Sequence, residues 1–259
     1  MLLHVPVFTL SAYTQQDSPW HRLHPRARLL CALTLVVGTA LTPNGAWEVW
    51  GIYAVALLVL VLVSRVPPLV LLQRLSLEVL FVSVLLLTIL FAGRGTPLVT
   101  LGPLVITEQA LIAFGSVLTK ATLSLLALNL LAITTAAPNL LQSLGELKFP
   151  ALLVRVLESM LRYLAVLIDE LGSMRRAAQA RSNGLGALLG WRTLGNVLGA
   201  LFLRTYGRGE RTHLAMQARG FTGQFIDPTT RPFGISEWAA LALTFALLIT
   251  GQYVLWQGG

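Results

Sequence analysis

Residues 109–136 run without interruption by any charge except Lys120, and that stretch decides what most of this chain must be dissolved in. A membrane-crossing helix needs about 20 mostly apolar residues. Residues 109–136 exceed that and can span with tilt. Three more segments approach or meet the same length: 49–63, 75–92 with Glu78 near one end, and 238–256 with aromatic side chains at both edges. Residues 29–42 are uncharged but short. They are joined to 49–63 through the turn Pro43-Asn44-Gly45. These two segments either span with help from flanking residues, such as Trp47 and Trp50, or form a shallow hairpin. Only 12% of the residues are charged, against about 25% in soluble domains. An all-α, polytopic membrane protein with about five membrane segments is the expected fold.

Charge then assigns the sides. Arg22, Arg26 and Arg28 precede the first segment, and Arg65 and Arg74 lie between the second and third. The connections 43–48 and 93–107, the latter a Gly/Pro-rich loop, carry one base, Arg94. Basic connections face the cytoplasm, which predicts a cytoplasmic N-terminus and an external C-terminus. The same rule accounts for the net charge of +8 without nucleic acid. No basic run is interleaved with aromatics. Residues 1–17 lack the pattern of a signal peptide. With Cys31 as its one cysteine, the chain can form no internal disulfide.

Residues 138–235 separate a first part, 1–137, from a last membrane segment, 236–259. This middle part holds 12 of the 19 Lys/Arg residues and 6 of the 11 acids, too many charges to span. It is also too apolar for a solvated loop. Leu152, Leu153, Val156, Leu157, Met160, Leu161, Leu164, Leu167, Ile168 and Leu171 recur at helical spacing. A helix is predicted over 151–181, with Pro150 before its first turn and Asn183-Gly184 as its stop. A second is predicted over about 204–219, stopped by Gly220. Both read as amphipathic helices lying under the membrane.

Each of these helices closes on a similar tripeptide: Ala180-Arg181-Ser182 and Ala218-Arg219-Gly220. A cation in the last turn complements the helix dipole by about 0.3–1 kcal/mol, which suffices for one such arginine. Two in one charged segment, each with similar neighbours, suggest matched plugs for two copies of a soluble partner. The guanidinium fork pairs bidentately with carboxylates, and the small neighbours let a partner approach closely. Glu78 and Lys120, charges in or near the membrane, are functional suspects by default, as subunit contacts or intramembrane charges; the plainer role is structural, Glu78 reaching the interface from a segment end and Lys120 pairing internally or with another subunit. His4, His21, His24 and His213 show no converging ligand set; His21 and His24 sit next to Arg22, Pro25 and Arg26 at a membrane edge and are read as part of an interfacial basic segment rather than a metal site.

Several chemistries have no foothold. No G-x-x-x-x-G-K-[ST] occurs, so no P-loop nucleotide site is expected, and no cofactor. Neither H-E-x-x-H nor G-x-S-x-G is present. A membrane-embedded transferase would need acidic motifs that are missing, and a stand-alone carrier or channel would leave the paired arginines without a purpose.

The two tripeptides, together with Leu201-Phe202-Leu203-Arg204 through Glu210-Arg211 to Ala215-Met216-Gln217-Ala218-Arg219-Gly220-Phe221, resemble the transmembrane (T) components of energy-coupling factor transporters, the cobalt-type CbiQ subunits in particular. The stretch His21-Arg22-Leu23-His24-Pro25-Arg26-Ala27-Arg28-Leu29 is similar to that family's entry to its first membrane segment. There His24 stands where aspartate is usual and Arg28 where lysine is usual. Ser182 stands where the family has glycine. The resemblance covers nearly the whole chain. It implies a non-catalytic subunit in which 138–235 is a cytoplasmic coupling-helix domain. Two cytoplasmic P-loop ATPases, carrying ATP and magnesium, would each receive one tip, Arg181 or Arg219. A membrane substrate-capture subunit, and in some systems a small accessory membrane subunit, would complete the importer. Cobalt is the expected cargo, with nickel or a vitamin such as biotin as the alternatives.

Overall fold

The computed structural model describes residues 18–92, 97–101, 104–181, 191–222 and 233–258. The chain is helical almost throughout. A one-turn helix α1 (Pro19–Arg22) leads to α2 (Pro25–Leu41), α3 (Trp47–Ser64) and α4 (Pro68–Ala92). A short antiparallel hairpin, β1 (Pro97–Leu101) with β2 (Leu104–Thr107), separates α4 from α5 (Glu108–Thr134). Then come α6 (Ala137–Glu146), α7 (Ala151–Arg181), α8 (Trp191–Ala218) and α9 (Ile235–Gly258). The protein is an all-α membrane protein, and the hairpin stands where the sequence reads only as a loop. Among the described residues, α3, α5 and residues Ile235–Val254 of α9 are long and apolar enough to cross a membrane. Contacts divide the chain into two compact units, one of Met1–Ser143 with Thr230–Gly259, the other of Leu144–Thr229.

In the first unit, α3 packs against α5 and α9, and α2 against α5 and α9. The core is small: Leu35, Val49, Trp50, Tyr53, Leu57, Leu123 and Ala127 form one buried cluster, and Val66, Leu71, Leu130 and Ile133 a second. Large apolar side chains point outward instead, among them Val55, Leu58 and Leu62 on α3 and Phe245 and Ile249 on α9. In water such a surface would aggregate; in lipid it is the solvated face.

Several buried polar groups are paired within the bundle. Arg28, 6% exposed, donates to the Thr134 carbonyl at 2.6 Å and to Thr135 Oγ1 at 3.2 Å. It also donates to the carbonyls of Leu23 (3.1 Å) and His21 (3.4 Å). One side chain thus fastens the start of α2 to the last turn of α5, where orphan helix carbonyls need donors. Trp20 Nε1 adds a bond to Thr134 Oγ1 at 3.2 Å.

Where α9 meets α3, Gly251 leaves room for the buried Tyr53 ring; a Cβ there would lie 2.6 Å from Tyr53 Oη and 3.0 Å from Cζ. Gly251→Val is therefore expected to overpack this contact and cost about 1–3 kcal/mol, read as a lowered unfolding midpoint in detergent.

Candidate coupling site

The second unit is built on α7 and α8. Tyr163 Oη lies 3.3 Å from Thr212 Oγ1. One carboxylate, Glu170, takes two arginines of α8: Arg204 at 3.1 Å on Oε1 and Arg208 at 3.4 Å on Oε2. Moving forward along α7 from 163 to 170 moves backward along α8 from 212 to 204–208, so the helices are antiparallel. Their C-terminal ends, which carry the arginines, consequently face opposite directions. Arg181 follows Glu170 at the same interval as Arg219 follows Arg208, about three helical turns. At a rise of about 1.5 Å per residue, the two tips lie about 33 Å apart along the pair.

Both arginines are exposed, and among the described residues neither guanidinium has a hydrogen-bond or ion-pair partner. Ala180, Ala218 and Gly220 are exposed too. The second tip is fully defined. Gly220 adopts φ +84°, its N–H bonds to the Gln217 carbonyl at 2.9 Å, and the Phe221 N–H bonds to the Met216 carbonyl at 3.1 Å. This paired closure is the Schellman motif, and it leaves Arg219 as the cap residue at the extreme end of the helix. The left-handed position explains the glycine: a Cβ there costs about 1–2 kcal/mol. Gly220→Ala is expected to fray the last turn, seen as faster amide exchange over 217–221. At the first tip α7 ends on Arg181; Ser182 and the Asn183-Gly184 stop lie outside the described residues, as does His4.

The membrane charges belong to the other unit and are not brought together. Glu78 Oε2 accepts from Asn129 Nδ2 at 2.7 Å, tying α4 to α5. Lys120 Nζ donates to Asn44 Oδ1 at 2.9 Å, in the turn between α2 and α3. Lys120 is thus held beside a turn, where the ammonium has polar company. Asn129 lies about 14 Å from Lys120 along the axis of α5. No cluster of three or more His, Cys, Asp or Glu able to hold a metal occurs among the described residues.

Sequence reasoning passed over Glu170, because one acid in a charged helix carries no signal by itself. The signal was in the spacing: Glu170 and Arg208 stand 38 apart in the chain, and Arg181 and Arg219 share that offset.

A sequence model of the CbiQ family, described as cobalt transport protein, matches residues 16–230, which include both arginine tips. The energy-coupling factor transporter transmembrane protein EcfT of Listeria innocua is 30% identical over 83% of this chain and 84% of its own. The cobalt transport protein CbiQ of Rhodobacter capsulatus is 28% identical over 69% of this chain and 71% of its own. The nickel permease LarQ of Lactiplantibacillus plantarum is 30% identical over 48% of this chain and 45% of its own. With a family match across most of its length, an apolar bundle and a pair of arginine-tipped helices, the chain belongs to the CbiQ family of energy-coupling factor transporter transmembrane proteins.

Proposed function

We propose that this transmembrane component couples two cytoplasmic P-loop ATPases to a membrane substrate-capture subunit, with cobalt ion as the cargo. The observation that carries the reading is the antiparallel pair α7–α8, which presents Arg181 and Arg219 at opposite ends and at equal distance from a shared ion pair. Two exposed forks facing opposite ways suit two copies of one partner, or two similar partners, that move relative to each other. Each ATPase would offer carboxylates in a groove to one tip, and ATP with magnesium would be bound there rather than on this chain. Leu144–Thr229 is then cytoplasmic, the N-terminus with it, and α9 carries the C-terminus to the outer side of the bacterial inner membrane. Glu78 and Lys120 serve inside the bundle, through Asn129 and Asn44.

Cobalt is supported by the description of the matching family and by the name of the Rhodobacter relative. The name of the Lactiplantibacillus relative favours nickel as the second reading. ATP-dependent uptake of radioactive cobalt by proteoliposomes holding the whole complex, with nickel as competitor, separates them. Cobalt uptake that excess nickel does not suppress supports the first reading. Nickel uptake without cobalt uptake overturns it.

A further inference from the structure

We infer that Glu170 is a positioning residue: by holding Arg204 and Arg208 together it sets, at one point, the spacing and the rotational phase of both arginine tips. The inference rests on the proposed role of those tips. Glu170 is the acceptor at the centre of the contact, with both carboxylate oxygens engaged and its side chain 16% exposed. Arg204 and Arg208 are more open, at 64% and 39%. An isolated exposed ion pair does little, but two arginines on one largely buried carboxylate form a network with defined geometry.

The position of the network matters more than its strength. Glu170 precedes Arg181 by the same interval as Arg208 precedes Arg219. That interval is three whole helical turns to within about 20°. Each member of the Glu170–Arg208 pair therefore shares a helix face with the tip of its own helix. Pairing them fixes the azimuth of both tips at once. The same two residues correspond under the chain offset that relates the tips, so the pair sits at the midpoint of a locally two-fold arrangement. Each tip stands about 16 Å from this point, so a turn of about 10° of its helix there moves that tip by about 3 Å. Simultaneous engagement of two partner copies gains avidity only where the spacing matches the span, and loses it when the geometry drifts. The Tyr163–Thr212 contact lies nearer one tip than the other and cannot hold both equally.

Spin labels at Ala177 and Ala215, both exposed and related by the same offset as the tips, report this spacing in full-length protein in lipid nanodiscs, with Cys31→Ser removing the one native cysteine. Electron–electron distance measurement is expected to give a single narrow distribution for the otherwise unaltered chain. Glu170→Gln should broaden it, since each label sits seven residues, about 10 Å, from the ion pair and a change of about 10° there moves it by about 2 Å. The charge swap Glu170→Arg with Arg204→Glu and Arg208→Glu should restore it, which a mere loss of folding would not allow. Tyr163→Phe should leave the distribution narrow. In the same nanodiscs, Glu170→Gln should weaken binding of the ATPase pair by about 100-fold, the loss of one of two linked engagements. A Glu170→Gln distribution superimposable on the parent overturns the inference. A changed distribution with no ATPase binding even to the parent upholds the positioning role and sinks the coupling reading instead.

Discussion

Arg181→Ala combined with Arg219→Ala is expected to weaken association with the ATPases by about a thousandfold or more and to abolish ATP-driven uptake. Truncating one partner of a buried, hydrogen-bonded charge pair at an interface costs about 2–5 kcal/mol, much of it from the partner carboxylate left unpaired. Two such losses total at least about 4 kcal/mol, and each step of about 1.4 kcal/mol is tenfold in affinity. Either single substitution should be intermediate but disabling, because a complex held at one end loses the avidity of two. Arginine to lysine keeps the charge and removes the planar fork, so it should recover only part of the binding. In the free chain neither side chain has a described partner, so the double variant should keep its own unfolding midpoint. Binding titrations in nanodiscs, set beside thermal unfolding of the same samples, separate loss of contact from loss of fold.

Arg28→Ala should have the opposite signature: intact tips on a destabilised bundle. Its guanidinium satisfies the Thr134 carbonyl, Thr135 Oγ1 and the carbonyls of Leu23 and His21 from a nearly inaccessible site. Each buried acceptor left without a donor costs about 1–3 kcal/mol, and the last carbonyls of α5 have no intrahelical partner to fall back on. A loss of about 3–5 kcal/mol follows, comparable with breaking a buried ion pair. At roughly 2–4 °C per kcal/mol for a chain of this size, the unfolding midpoint in detergent should fall by about 10 °C. An unchanged midpoint would contradict the clamp assigned to Arg28.

Most of the fold is legible in the sequence because lipid demands long uncharged runs. The stretches 49–63, 75–92 and 109–136 lie within or nearly coincide with α3, α4 and α5. The helix read over 151–181 is α7 to the residue, since Pro150 marks its start and the apolar period runs unbroken. The start of α8 is less visible. The sequence places it near Arg204, whereas the helix begins at Trp191 and runs through Gly195 and Gly199. Both lie in open surroundings where a Cβ would meet nothing within 4 Å, so they lower helix propensity without ending the helix. The hairpin after α4 hides behind its glycines and prolines in the same way. The paired tripeptides singled out Arg181 and Arg219, and their helix-end positions could be read from the capping pattern. Their opposed directions could not, because antiparallel pairing of α7 with α8 depends on contacts between residues far apart in the chain, such as Glu170–Arg204.

Co-purification from the native membrane shows whether the two arginine tips hold the ATPases on this chain. Tagged parent chain, the Arg181→Ala/Arg219→Ala variant and an Arg211→Ala control, an exposed arginine away from either tip, are isolated in mild detergent and their bound proteins identified by mass spectrometry. A P-loop ATPase and a small membrane protein are expected with the parent and with Arg211→Ala, and loss of the ATPase alone from the double variant. Equal recovery of the ATPase with all three chains would contradict the role assigned to the two tips.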